Sequence, residues 1–369
     1  MRGWLLIPID FCGFLRAEYV IPLASTRERD VGIDVTRAGL ILMMLVYHCF
    51  GHAQLITTLH IDQAFNVNRW MGLVTGSFPF LVGFLIGFRY MGDESHGFSL
   101  IRGLTVRSSK IIGLFFAANI VLVIFSLAVD EFPVRLPNTP NMQNLLLADA
   151  GYVVYDLLMP LGEIILIGAG ILLARMYYKN DLILQCALII GAIILAWSGN
   201  LLPLYLACGM VGIALGSLFA RPVVKNALQR YWGICLMGFV PGIFLSVTET
   251  NGPDNSLLYL ASVAGLFFAF QNLGRFGPFT SQGVVSRITI LFARGSLMIY
   301  IVHIPILPFV AKLVGPLFAE SDLWLAFSFL LVIMLLSMGA LTYFVDLYGP
   351  RFNQNIFNLK LLLPRFFSG

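Results

Sequence analysis

Two ionisable side chains, Arg37 and His48, stand eleven residues apart inside one apolar stretch of the chain. A helix turns by about 100° per residue, so this spacing places them on nearly one face. It also separates them by roughly 16 Å along the axis, about half of a hydrocarbon core. Imidazole takes up and returns a proton near neutral pH. Because ionisable residues inside a membrane are costly, the pair predicts a functional site.

The neighbours of this pair suggest how it is held. Asp34 precedes Arg37 by three residues and can pair with it along the helix. His52 follows His48 by four residues, a spacing that can bind a metal, but no third ligand of suitable spacing follows, so we expect no metal. In an alternative interpretation, Asp34 and Arg37 anchor the helix at the interface and His48 is a hydrogen-bonded interhelical residue.

Two acids interrupt a later apolar segment. Asp156 and Glu163 lie seven residues apart and would share a helix face, with Pro160 expected to kink the helix between them. Glu163 falls near mid-membrane, where a carboxylate should be neutral or paired with His48 or an arginine. The acids are candidate substrate-binding residues; the alternative is a buried structural pair.

A third polar stripe lies near residue 300. Ser296, Tyr300 and His303 recur at helical spacing within an apolar segment. Counting from the start of that segment puts His303 at a depth close to that of His48. We therefore expect the two histidines to face a shared cavity.

Three cations, Arg102, Arg107 and Lys110, stand in the second predicted loop, at the mouth of the third span. Such a group binds phosphates well. Cations at this place also serve as ordinary membrane anchors, and the sequence leaves both interpretations open.

The chain that must position these residues is a membrane protein. Of its 369 residues, 59% are hydrophobic and 11% charged, and the mean hydropathy is +0.87. This composition exceeds the needs of a soluble core and predicts an all-α, multi-pass protein in contact with the lipid bilayer. The net charge of +4 is small and gives no indication of a nucleic-acid partner.

Apolar runs of about twenty residues predict ten transmembrane helices. We place them at 33–52, 70–90, 110–129, 152–174, 181–198, 201–220, 231–248, 256–274, 290–313 and 323–346. Residues 1–30 form an N-terminal cytoplasmic or interfacial segment, residues 31–350 a single transmembrane domain and residues 351–369 a cytoplasmic tail.

The basic residues give the helices a direction. Of 23 Lys and Arg residues, 18 fall in the terminal segments and even-numbered loops and three in the opposite loops. By the positive-inside rule, both termini are cytoplasmic. Arg37 then lies near the cytoplasmic edge and His48 in the outer half.

Three segments together resemble the acyltransferase 3 family of integral membrane acyltransferases. Asp34-x-x-Arg37, then ten residues and His48, is similar to the family's Arg-ten-His signature. The segment from Phe80 to Gly87 resembles its FLSGF motif, although Val82 stands where the family usually has Ser. The segment from Gly295 to Pro305 resembles its late SYxxYLxHxP helix.

The resemblance implies transfer of an acyl group, usually acetyl from acetyl-CoA, to a hydroxyl of an extracytoplasmic carbohydrate in the cell envelope. His48 would be the base or a transient acyl carrier, and Arg37 with the three cations would hold the acyl-CoA donor. Glu163 and His303 would line the acceptor half. The family implies no permanently bound cofactor, and periplasmic-glucan succinyltransferases and sugar O-acetyltransferases are related types in the bacterial inner membrane.

The other class that suits these residues is a proton-coupled secondary transporter of a small polar solute. Intramembrane Asp, Glu and His occur in such carriers. Inverted repeats would favour a transporter, and the sequence shows none.

Overall fold

The structure is a computed structural model that describes residues 30–57, 67–91, 97–128, 155, 157–178, 180–198, 200–221, 223–224, 226, 253–280, 283–318 and 322–366. Within these ranges every regular element is a helix. In chain order they are α1 (Val31–Thr57), α2 (Val67–Tyr90), α3 (Phe98–Ala128), α4 (Leu158–Tyr177), α5 (Asp181–Trp197), α6 (Leu201–Phe219), α7 (Pro253–Leu273), α8 (Gly277–Thr280), α9 (Val284–Arg294), α10 (Ser296–Phe318) and α11 (Leu323–Phe366).

Eight of these helices are long and apolar enough to cross a membrane: α1–α4, α6, α7, α10 and α11. Helix α5 is apolar but has only 17 residues. The all-helical, multi-pass class is therefore confirmed among the described residues. The span predicted at 231–248 lies outside them, and the count of ten and the orientation of the termini stay predictions.

Helix α1 packs against α2, α7, α9, α10 and α11. Its N-terminal end is capped: Asp30 accepts hydrogen bonds from the backbone N–H groups of Gly32 and Ile33, as an N-cap residue does. Arg37 and His48 therefore belong to one continuous helix, as the sequence predicts. Helix α1 therefore packs against α2 and α10, two of the other helices that carry site residues.

Helix α3 begins earlier than predicted. Its buried residues recur at helical spacing from Ile101 and Leu104 through Ser108 to Phe115, and this stripe packs on α4. The Ser108 hydroxyl donates to the Gly162 carbonyl at 2.7 Å. The placement of the three cations in a loop was wrong, because this buried stripe extends the helix back to Phe98 despite the charges on its other faces.

Helices α2 and α6 meet through glycines at close range. A Cβ at Gly83 or Gly87 would overlap the backbone carbonyl of Gly209 or Ile213, and Gly212 and Gly216 of α6 face the backbone of α2 in the same way. Only glycine permits so close a backbone approach. This segment is therefore a tightly packed helix, and α2 stays helical through Pro79.

Two predicted helix features differ in the structure. Pro160 does not kink α4, because the helix begins at Leu158 and proline is tolerated in the first turn, where its missing N–H has no helical partner to lose. The ninth predicted span is divided: α9 ends at Arg294 and α10 starts at Ser296. Gly295 lies at the break, where a Cβ would overlap Thr342 of α11.

Candidate functional site

His48 of α1 and His303 of α10 are in contact. Their ring centroids are 4.9 Å apart with an interplanar angle of 51°. His303 is fully buried, whereas His48 is half-buried. The expectation that the two histidines share one depth is confirmed by this contact. The pair places a buried imidazole directly behind a more accessible one.

The hydrogen bonding of His303 defines its tautomer. Its Nδ1 lies 3.0 Å from the Ile299 carbonyl oxygen, which can only accept, so a neutral ring carries its proton on Nδ1. Nε2 is then the basic nitrogen, and it is buried without a hydrogen-bond partner. A buried polar atom in this condition is uncommon. The arrangement leaves a lone pair ready to accept a proton or a hydrogen bond.

Aromatic side chains enclose the histidine pair. Tyr300 lies 6.0 Å from His303 between ring centroids, and Phe78 of α2 lies 6.5 Å from Tyr300. Tyr47 meets His48 edge to face at 5.0 Å. Tyr300 and His303 of α10 therefore lie together against α1 and α2, and their role as substrate-binding residues stays a prediction.

Tyr155 is the site residue that the sequence analysis missed. It is buried, its ring lies 6.2 Å from that of Tyr300, and its hydroxyl donates to the Ile301 carbonyl at 2.8 Å. A tyrosine hydroxyl is protonated at neutral pH, so this group remains a hydrogen-bond donor.

A sequence signal for such a donor exists in Pro305. In a helix the N–H of residue 305 would donate to the carbonyl of Ile301, and proline has no N–H. Tyr155 supplies the missing donor from another part of the chain. Its own backbone N–H donates to the Asn119 side chain at 3.4 Å, which ties the tyrosine to α3.

Glu163 lies near the start of α4. It is five residues into the helix, about 8 Å from the first residue, and its position near mid-membrane stays a prediction. Its Oε2 is buried and makes no hydrogen bond, so this oxygen is not paired with His48 or an arginine within the described residues. Asp156 lies outside them, and its relation to Glu163 stays a prediction.

The cations stand on different elements. Asp34 is buried and Arg37 half-buried near the start of α1. On α3, Arg102 and Lys110 are exposed and Arg107 is half-buried. The five-residue step from Arg102 to Arg107 turns the helix by about 140°, so these two do not form one phosphate cradle.

Metal ligation is not favoured in the part of the chain that the structure describes, because no cluster of three or more His, Cys, Asp or Glu residues has a suitable arrangement there. The chain matches no family model, no curated protein and no solved structure. The proposals below accordingly rest on the site and on the resemblance of its motifs.

Proposed function

We propose that this protein is a membrane-bound acyltransferase that moves an acyl group, acetyl in the simplest case, from acyl-CoA to a carbohydrate hydroxyl. The observation that carries the proposal is the contact between His48 and His303, with the Nε2 lone pair of His303 unpartnered. Acyl transfer to a hydroxyl needs a neutral base in a water-poor site. A half-buried His48 in contact with a fully buried His303 of defined tautomer supplies such a base.

The proposed transfer proceeds through a tetrahedral intermediate, with His48 moving the proton. His48 accepts the proton of the acceptor hydroxyl while the hydroxyl oxygen attacks the thioester carbonyl, forming the new C–O bond. The tetrahedral intermediate then collapses, the C–S bond breaks, and the CoA thiolate leaves. The thiolate receives the proton that His48 holds, which returns the site to its starting state.

His303 has a supporting role in this scheme. Once His48 is protonated, it becomes a donor, and the Nε2 lone pair of His303 is the acceptor that stabilises the imidazolium. The Nδ1 hydrogen bond to the Ile299 carbonyl keeps that lone pair available throughout the cycle. In this arrangement the half-buried His48 contacts the substrate, and the fully buried His303 stabilises the charge that forms on it.

The donor is proposed to approach from the end of the bundle where α1 begins. Arg37 lies on the same helix as His48 and about 16 Å before it, a distance comparable to an extended pantetheine arm. Its guanidinium is suited to an anionic group of acyl-CoA. The acceptor sugar would then approach the accessible side of His48. Its hydroxyl would reach the thioester from the side opposite to the CoA group.

A direct assay tests this proposal. Purified protein is incubated with acetyl-CoA carrying a labelled acetyl group, and free CoA thiol is measured with and without sugar acceptors. We expect acceptor-dependent thiol release that His48→Ala lowers by about 10²–10⁴-fold, the range for loss of a general base. Arg37→Ala should raise the KM for acetyl-CoA, whereas Arg89→Ala, at an exposed arginine, should not.

The proposal fails if wild-type protein neither releases thiol nor forms an acyl-protein with any acceptor class. A covalent acyl-histidine would appear as label retained on the wild type in the absence of acceptor and lost in His48→Ala. That result would keep acyl transfer and replace the base role of His48 by a carrier role.

A proton-coupled transporter is the second candidate, and Glu163 is the observation that favours it. A buried carboxyl oxygen with no hydrogen-bond partner is typical of groups that bind and release protons in carriers. In that case Glu163→Gln abolishes pH-gradient-driven solute uptake in proteoliposomes, and acetyl-CoA remains intact.

A further inference from the structure

A cavity of about 280 Å³ lies away from the histidine pair, between the ends of α4, α5 and α6. It is bounded by Arg175 and Arg221, by the polar side chains of Asp181, Gln185 and Ser217, and by apolar residues such as Leu184. Ligand cavities usually measure about 300–1,000 Å³, so this one suits a headgroup rather than a whole lipid or cofactor.

One wall of the cavity is a fixed guanidinium. Arg175 forms a two-point ion pair with Asp181, with Nε at 2.8 Å from Oδ1 and Nη2 at 3.1 Å from Oδ2. Its Nη1 donates to the Met91 carbonyl after α2. An arginine has five N–H donors, so this arrangement orients the group and still leaves donors for a ligand.

The cavity carries a net positive charge. Arg175 is matched by Asp181, and Arg221 adds a second guanidinium at the exposed rim. The cavity also lies at the start of α5, where the helix dipole favours an anion. Gln185 donates to the Ser217 hydroxyl at 2.9 Å, which completes a polar wall. The chemistry is that of a site for a phosphate group.

The surface beside the cavity is apolar. On α5, Ile183, Ile190 and Ile194 lie along one face and are 63%, 57% and 66% exposed. Such side chains in a membrane protein contact lipid. A phosphate in the cavity would therefore sit at the head of a track suited to acyl chains, whereas a soluble phosphate ester would leave that track unused.

We infer that the cavity binds the phosphate headgroup of an anionic phospholipid, whose acyl chains lie along the exposed face of α5. Basic pockets between transmembrane helices on the cytoplasmic side bind such lipids, and the sequence predicts this end of the bundle to be cytoplasmic. The inference does not depend on the proposed reaction, because it uses a separate cavity and a different ligand.

Native mass spectrometry of the full chain tests the inference, with phosphatidylglycerol and phosphatidylcholine added in turn to the detergent-solubilised protein. We expect preferential binding of phosphatidylglycerol. Loss of one guanidinium contact in Arg221→Gln should weaken that binding about fivefold. The matched control is Arg89→Gln, since Arg89 is an exposed arginine near the end of α2 that does not line the cavity.

A second variant separates the cavity from a diffuse basic surface. Ala220→Leu keeps every charge and fills space at the cavity wall, so it should also weaken phosphatidylglycerol binding. The inference is overturned if Arg89→Gln weakens binding as much as Arg221→Gln, or if Ala220→Leu has no effect. It is equally overturned if coenzyme A or inorganic phosphate binds with Arg221 dependence and phosphatidylglycerol shows no preference.

Discussion

His303 is the residue on which the proposed chemistry depends most directly after His48. Its Nδ1 is held by the Ile299 carbonyl and its Nε2 is buried and unpartnered. We expect His303→Ala to lower acceptor-dependent thiol release by about 10²–10⁴-fold with little change in the KM for acetyl-CoA. The measurement is a steady-state comparison of kcat and KM.

His52→Ala is the matched control for that prediction. His52 is half-buried on the same helix, one turn beyond His48, and its loss should leave kcat within about tenfold. If the two histidines act as one unit, the double variant His48→Ala with His303→Ala should be no slower than His48→Ala alone. If the two substitutions instead lower the rate independently, so that their effects multiply, the proposed support of His48 by His303 is contradicted.

Tyr155 gives a prediction about stability rather than chemistry. Tyr155→Phe removes the hydroxyl that donates to the Ile301 carbonyl, leaving a part-buried acceptor without this donor at a cost of about 1 kcal/mol. We expect a lower thermal unfolding temperature in detergent. Tyr177→Phe, at a tyrosine that is 77% exposed, should leave that temperature unchanged.

The role of Pro305 makes this prediction more specific. Pro305→Ala restores a backbone N–H that can donate to the Ile301 carbonyl. Tyr155→Phe should therefore cost less in the Pro305→Ala background than in the wild type, as a double-mutant cycle measures. Equal costs in both backgrounds would mean that the tyrosine contributes only through packing.

The sequence was sufficient to find some of these residues and not others. His48, Tyr300 and His303 stood out because polar groups are rare in apolar helices. Their spacing also showed that His48 shares a helix face with Arg37 and that His303 shares one with Tyr300. Tyr155 did not stand out, because its partner lies 146 residues away and its hydroxyl role depends on a tertiary contact.

At the scale of helices, the contact between α2 and α6 makes a clear prediction. Gly83→Ala would place a Cβ against the Gly209 backbone carbonyl, and backbone on both sides cannot move aside cheaply. Overpacking of this kind costs typically about 1–3 kcal/mol. We expect a lower yield of folded protein and a lower thermal unfolding temperature.

Gly170→Ala provides the comparison. Gly170 is exposed on α4 and a Cβ there would meet nothing within 4 Å. Alanine is the better helix former by about 1 kcal/mol, so this variant should be as stable as the wild type or slightly more stable. A loss at Gly170 equal to that at Gly83 would show that the close approach of α2 and α6 is not the cause.

Helix existence was easier to predict than helix ends. Hydropathy located all nine long described helices, because each contains a long apolar run. It placed the start of α3 twelve residues late, since the charged exposed faces lowered the average over a helix whose buried stripe was intact. It also joined the end of α9 to α10, because a single residue, Gly295, separates the two helices.

At the scale of the whole molecule, the orientation of the bundle remains to be measured. The lipid cavity, the approach of the donor and the accessible side of His48 all take their sidedness from the distribution of basic residues. Helix α10 is well suited to this measurement, because it has 23 residues and a mean hydropathy of 2.0 and is long and apolar enough to cross a membrane. Exposed positions before and after it should lie on opposite sides.

Gly277 in α8 and Asp322 before α11 are such positions, and both are exposed. In a background without native cysteines, we expect a membrane-impermeant maleimide applied to intact cells to label Asp322→Cys and not Gly277→Cys. Permeabilised cells should label both. Labelling of Gly277→Cys alone would invert the bundle, placing Arg37 and the α5 cavity outside, where acyl-CoA is absent. Because the acyl donor is made in the cytoplasm, that result would remove the donor route from the acyltransferase proposal and leave the histidine pair to a different reaction.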